Sequence, residues 1–149
     1  MPLPARSLGG SGEKYVRDQY PQQVQACRSS LGRRATALLV VMIDADKETT
    51  QHRAAQLANA LEAGGTDSVA NVEPIAVLIP KRHVETWIRA LIGDHIDELA
   101  DYTRPKPTAK QIKDAATELY VWTRPSAASR PASPPSLTAS LPEWRKIPS

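Results

Sequence analysis

Seven consecutive apolar residues, Ala37-Leu38-Leu39-Val40-Val41-Met42-Ile43, form the clearest feature of the chain. The run is rich in β-branched residues and too short for an isolated buried helix, so it predicts a strand covered on both faces. It ends in Asp44-Ala45-Asp46. A second such run, Ile75-Ala76-Val77-Leu78-Ile79, is closed by Pro80. Between them the spacing predicts a helix over about 49–63, with Leu57, Ala60 and Leu61 turned inward and Gly64-Gly65 as the stop. Strand, helix and strand at these intervals predict a βαβ unit, meaning a parallel pair joined by a right-handed crossover.

Helical periodicity flanks this unit. From Glu13 the pattern predicts a helix with Ser11 or Gly12 near its cap and Tyr15, Val16 and Tyr20 as apolar contacts. Pro21 should interrupt it, and because proline suits a first helical turn, a second helix is expected from Pro21 towards Arg28 with Val24 and Cys27 buried. Downstream, 83–91 carries Val84, Trp87, Ile88 and Leu91 on one stripe, and 108–120 carries Ile112, Ala115, Ala116 and Leu119. Residues 1–12 read as an irregular lead-in and 123–135 as a loop rich in Pro, Ser and Ala. Leu137, Leu141 and Trp144 recur at helical spacing, which predicts a short C-terminal helix docked on the core. Trp87, Trp122 and Trp144 occupy apolar helical positions and read as core residues rather than base-stacking platforms. The whole span 1–149 reads as a single α/β domain.

Composition changes this picture little. At 149 residues there is room for one sizeable core, and 41% hydrophobic with 23% charged residues is ordinary for a globular chain. No Phe is present, so Ala, Leu, Val and Ile must fill the interior. A net charge of +3 permits a polyanionic partner without demonstrating one. The single Cys27 excludes an intramolecular disulfide, and no segment has the length and apolarity of a membrane span, so a cytoplasmic chain is expected.

Candidate chemistry collects at the ends of the two strands. In an extended chain alternate side chains share a side, roughly 6–7 Å apart, so Asp44 and Asp46 are placed to bracket a hard cation such as Mg²⁺ or Mn²⁺. The carboxyl end of a parallel strand is where open α/β sheets place ligands. Two like charges against seven apolar residues are desolvated and repel each other, which a cation relieves. The plainer role for Asp46 is as a helix cap. Glu85, just beyond the second strand, is either a third carboxylate of the same site or an acid suited to the first turn of a helix. Lys81 and Arg82 read either as a surface pair of bases or as groups facing a phosphate near the metal, and His83 reads first as a helix-start or packing residue and second as a base or ligand. Arg104, Lys106, Lys110 and Lys113 form a basic stretch that reads first as solvated charge and second as a track for a nucleic-acid backbone. Glu73 and Glu48 read as solvated acids.

Several families end an apolar strand in Asp-x-Asp. The haloacid-dehalogenase-like phosphotransferases would want Thr or Val where Glu48 stands. A phosphate loop at Gly9-Gly10-Ser11-Gly12-Glu13-Lys14-Tyr15 fails because Glu13 separates glycine from lysine and Tyr15 replaces the Ser or Thr that ligates magnesium. The stretch Val40-Val41-Met42-Ile43-Asp44-Ala45-Asp46 resembles the aspartate motif of Toprim domains. Gly10-Ser11-Gly12-Glu13-Lys14-Tyr15-Val16-Arg17, Tyr20-Pro21, the block 79–88 (Ile-Pro-Lys-Arg-His-Val-Glu-Thr-Trp-Ile), Pro135-Ser136-Leu137 and Pro142-Glu143-Trp144-Arg145 extend the likeness over nearly the whole chain. Together they resemble an uncharacterised bacterial family with a Toprim-like core, related to the Toprim domains of overcoming-lysogenization-defect-type nucleases.

The resemblance implies a Mg²⁺ site on Asp44 and Asp46, with Glu85 as a later carboxylate, and metal-assisted chemistry at a phosphodiester in which Glu85, Lys81 and Arg82 assist. It implies a component of a bacterial defence or mobile-element system, with nucleic acid and a partner ATPase as partners and no membrane. One departure stands out. Toprim domains carry a glutamate at the end of an earlier strand, but no apolar strand precedes Ala37 here and Glu13 opens a helix. The expectation is a family member lacking its first strand, weak or inactive as an enzyme by itself. The competing class is a non-catalytic, metal-stabilised module for binding nucleic acid or protein.

Overall fold

The computed structural model describes residues 12–124 and 133–148. These form a mixed α/β domain in the order α1 (Gly12–Gly32), β1 (Leu39–Met42), α2 (Thr50–Ala63), β2 (Ile75–Leu78), α3 (Val84–Leu91), α4 (Ala109–Trp122), α5 (Pro135–Ala139) and α6 (Leu141–Trp144). The strands pair in parallel, with Leu39 opposite Ile75 and Met42 opposite Leu78. The expected β–α–β unit is therefore present, and α2 is its crossover. Among the described residues no helix is long and apolar enough to cross a membrane. The lead-in as far as residue 11 and most of the 123–135 loop lie outside the described residues.

Local signals explain most boundaries. Thr49 caps α2 by accepting the His52 amide, so the capping role considered for Asp46 belongs to Thr49. At the other end Gly65 adopts φ +66°, the left-handed conformation that glycine takes without penalty, and Thr66 N–H reaches back to the Leu61 carbonyl. Thr108 and Gln111 form a reciprocal capping box at the start of α4. One expectation fails here: Pro21 does not divide the first helix, which runs unbroken from Gly12 to Gly32. Tyr20, Val24 and Cys27 lie on one buried stripe that crosses the proline, so tertiary packing outweighs the roughly 3 kcal/mol that an interior proline costs. Pro21 also packs against the end of α2, where a β-carbon on Gly64 would lie only 3.3 Å from that of Pro21.

Two cores flank the sheet. On one side α1 and α2 bury Tyr20, Val24, Cys27, Leu57 and Leu61 against Val41, Ile43 and Ile75. On the other, Leu78 meets Trp87, Leu91, Ala115, Trp122 and Leu137 from α3, α4 and α5. The expected tryptophan packing holds, with the rings of Trp87 and Trp144 6.3 Å apart. The stripe of α4 is rotated from expectation. Ile112 and Ala116 face outward, while Ala115 and Trp122 are buried. The C-terminal segment docks as two short helices rather than one.

Coverage of both faces holds for β2 and fails for β1. Ile75, Ala76 and Leu78 are fully buried. In β1 only the Leu39, Val41 and Ile43 side meets a helical layer. Leu38, Val40 and Met42, on the opposite side, are 40%, 45% and 36% exposed. The reason is reach: the second helical layer centres on Leu78 of β2 and includes no residue of β1.

Candidate functional site

The loops leaving β1 and β2 run side by side and carry Asp44, Asp46, Lys81, Arg82, His83 and Glu85 to one end of the sheet. The β1 loop is pinned at Ala45, which is fully buried. Its amide donates to the Pro80 carbonyl at 2.8 Å, and its carbonyl accepts from the Glu48 amide at 2.9 Å and from Arg53 Nη2 at 3.3 Å. Asp44 and Asp46 thus flank a residue fixed through both backbone groups, which holds the two carboxylates on a rigid mount. The strand has ended by this point, and Asp46 adopts φ +53°. The alternation of an extended chain therefore does not govern the pair, and the loop geometry does.

Each aspartate faces a base. Arg82 Nη1 lies 3.3 Å from Asp46 Oδ1. His83 Nδ1 lies 3.6 Å from Asp44 Oδ2, an ion-pair contact when the imidazole is protonated and longer than a hydrogen bond. On its other side His83 Nε2 is 4.0 Å from Asp101. Hydrogen bonds from the Thr103 hydroxyl and amide hold the Asp101 carboxyl below the usual carboxylate range. Burial pushes the Asp44 carboxyl up, and the charge of Glu85 adds to this. His83 and the Val84 amide pull in the opposite direction.

Of the expected site residues, the structure brings Asp44, Asp46, Lys81, Arg82 and Glu85 to the same mouth, with Glu85 close enough to act on Asp44 electrostatically. Among the described residues no three His, Cys, Asp or Glu side chains converge as a ready-made metal set. Lys81 and Arg82 both brace the β1 loop. Lys81 Nζ donates to the carbonyls of Glu48 at 2.6 Å and Asp46 at 3.3 Å, while Arg82 takes the Asp46 carboxylate. In the basic stretch Arg104, Lys106, Lys110 and Lys113 are exposed, and Lys110 pairs with Asp114 at 2.7 Å. Glu48 is exposed as expected. Glu73 is not a free loop acid, since it binds Arg28 at 3.1 Å with both side chains largely covered.

Three contributors were missed from the sequence. Arg53 is 4% exposed, although it sits on a helix whose inward face was read as Leu57, Ala60 and Leu61. Asp101 comes from the acidic-to-basic segment before α4. Ser136 is buried and accepts from the Lys81 amide at 3.1 Å and from Trp87 Nε1 at 2.9 Å, while its own amide donates to Glu98 at 2.7 Å. It ties the loop after β2 to the C-terminal segment. Nothing in the spacing signals these roles, because each depends on a partner distant in sequence, His83 for Asp101 and Lys81, Trp87 and Glu98 for Ser136, or on helix rotation, for Arg53.

No protein-family model, curated protein or solved structure matches this chain.

Proposed function

We propose that this protein is a Toprim-like, divalent-cation-binding domain that acts on, or holds, a phosphodiester of nucleic acid. The observation that supports the reading is the placement of Asp44, Asp46 and Glu85 on the loops at the carboxyl ends of a parallel strand pair, with Asp44 desolvated. Burial and like charge both disfavour ionised Asp44, and a cation reverses both effects. Mg²⁺ needs only one or two protein carboxylates and keeps several waters, so a complete protein cage is not required. Held by Asp44 and Asp46, with Glu85 as a direct or water-bridged ligand, it would neutralise charge on a phosphate. Lys81 and Arg82 would add positive field.

A second reading has its own support. Lys81 and Arg82 are engaged as braces of the β1 loop. A mouth whose bases answer its own acids suits a metal-stabilised interaction module, working beside a partner such as an ATPase, as well as it suits a nuclease.

Titration with Mg²⁺ or Mn²⁺ tests the site common to both readings. Wild type should gain thermal stability on titration, about 2.7 kcal/mol at a hundredfold excess over Kd. Asp44→Asn/Asp46→Asn should gain none. Equal responses from the two proteins would remove the site. Mg²⁺-dependent cleavage of single- or double-stranded DNA, lost in Asp44→Asn, would favour the nuclease reading.

A further inference from the structure

The two edges of the sheet are finished differently. Leu39 N–H and Ile43 N–H bond to the carbonyls of Pro74 and Leu78, so the odd-numbered residues of β1 turn their backbone groups towards β2. The amides and carbonyls of Val40 and Met42 consequently point away from the sheet, and among the described residues nothing meets them. The exposed side chains of Leu38, Val40 and Met42 stand along this same edge. On β2 two of the equivalent outward groups are met by side chains of the C-terminal segment. Val77 N–H donates to Glu143 Oε2 at 3.2 Å, and the Ile75 carbonyl accepts from Lys146 Nζ at 3.1 Å. A free, apolar strand edge is a template for another strand, and natural proteins usually blunt one with charge, proline or a covering segment. The β1 edge has no charge or proline between Ala35 and Ile43.

We propose that the free edge of β1 pairs antiparallel with the same edge of a second copy of this chain, about a two-fold axis at Val40. This register is self-complementary, as an isologous interface requires. It sets Val40 against Val40 and Leu38 against Met42. Each of these pairs exchanges two backbone hydrogen bonds, using the groups that β2 leaves free. All six apolar side chains then lie on one face of a continuous four-stranded sheet, in cross-strand contact.

Charge selects the second copy and the antiparallel sense. Arg34 lies six residues before Val40 and Asp46 six residues after it. Arg33 and Arg34 are exposed at the amino end of the edge, with no ion pair among the described residues. Asp44 and Asp46 mark the carboxyl end; each faces a base of its own chain, His83 and Arg82 respectively, and their side chains stay 40% and 46% exposed to a partner. The antiparallel register brings the basic end of each copy to the acidic end of the other, whereas a parallel register would set like charges together. A pairing this short belongs to the small, reversible class of interfaces, below roughly 1,000 Å² in total, so micromolar association is expected.

Sedimentation equilibrium on the full chain across the micromolar range, at low and high salt, provides the first readout. The expected result is a monomer–dimer equilibrium that weakens with salt. Val40→Lys should weaken it by about tenfold or more while urea unfolding of the monomer stays close to wild type. Register is read by cysteine substitution, with wild type and its buried Cys27 as control. Val40→Cys should form an intermolecular disulfide under mild oxidation. Leu38→Cys and Met42→Cys should crosslink when mixed and not when alone. A chain that is monomeric throughout overturns the proposal, as does a dimer indifferent to Val40→Lys. A monomer whose Val40 and Met42 amides are protected from hydrogen exchange also overturns it, because its own chain would then cover the edge.

Discussion

The two outer edges of this small sheet show opposite solutions to one problem. β2 has side-chain surrogates for a neighbouring strand: Glu143 takes the Val77 amide and Lys146 takes the Ile75 carbonyl, and the two bind each other at 2.9 Å. Both surrogates belong to the C-terminal segment, which reaches β2 because Ser136 anchors it beside Trp87 and the loop after the strand. Among the described residues the outer edge of β1 has neither surrogate nor covering helix. One edge is thus finished by the C-terminal segment, and the other is met by none of the described residues. Backbone groups in a two-stranded sheet can be satisfied by side chains of suitable length and charge as well as by another strand, provided a local anchor holds those side chains in place.

The largest expected effect comes from releasing that anchor. Ser136→Ala strips the acceptor from two donors in a buried setting, the Trp87 indole N–H and the Lys81 amide. The expected loss is about 3 kcal/mol, read as a lowered urea midpoint. Freed of its anchor, the segment should also release β2, so the Val77 amide should exchange faster in the same variant. Unchanged Val77 protection would show that α6 holds the edge without help.

Removing one surrogate should cost less. Glu143→Ala leaves the Val77 amide without its acceptor and Lys146 without its partner, for an expected loss of about 1–2 kcal/mol. It should make the two edges alike. In wild type at low concentration the Val77 amide should exchange slowly and the Val40 amide quickly, and in Glu143→Ala both should exchange quickly. A Val77 amide that stays protected would break the contrast.

The smallest effect lies at the mouth where both strands end. The folded protein holds the Asp44 proton more tightly than the unfolded chain does, because burial raises its carboxyl above the usual 3.8. Stability from this group is therefore present at low pH and is lost as pH rises through the window just above that value. Asp44→Asn should be more stable than wild type at neutral pH, by no more than about 1 kcal/mol after solvent screening. The advantage should fade as pH falls through the same window. Thermal melts at several pH values check this, and added Mg²⁺ should shrink the difference by stabilising wild type alone. An Asn variant less stable at neutral pH would mean that the His83 and Val84 contacts outweigh the burial of the charge.

Much of this arrangement is legible from the amino-acid sequence because it follows from local rules. Two apolar runs of strand length, a helix between them and Gly64-Gly65 as its stop all rest on periodicity and on backbone chemistry within a few residues. The grouping of Asp44 and Asp46 with residues 81–85 is legible too, since a parallel β–α–β unit must bring the two carboxyl ends together. The rest was decided by tertiary structure. Pro21 sits inside a continuous helix because Tyr20, Val24 and Cys27 bury across it. An apolar run does not state how far a helical layer extends over it, so β1 and β2 read alike and end with different coverage. Arg53, Asp101 and Lys146 were passed over, and Ser136 and Glu143 entered only within segments of the family resemblance, since their roles depend on what the fold brings beside them. A side chain's chemistry is written at its own position, but whether it braces a loop, caps an edge or faces water depends on what the fold brings beside it.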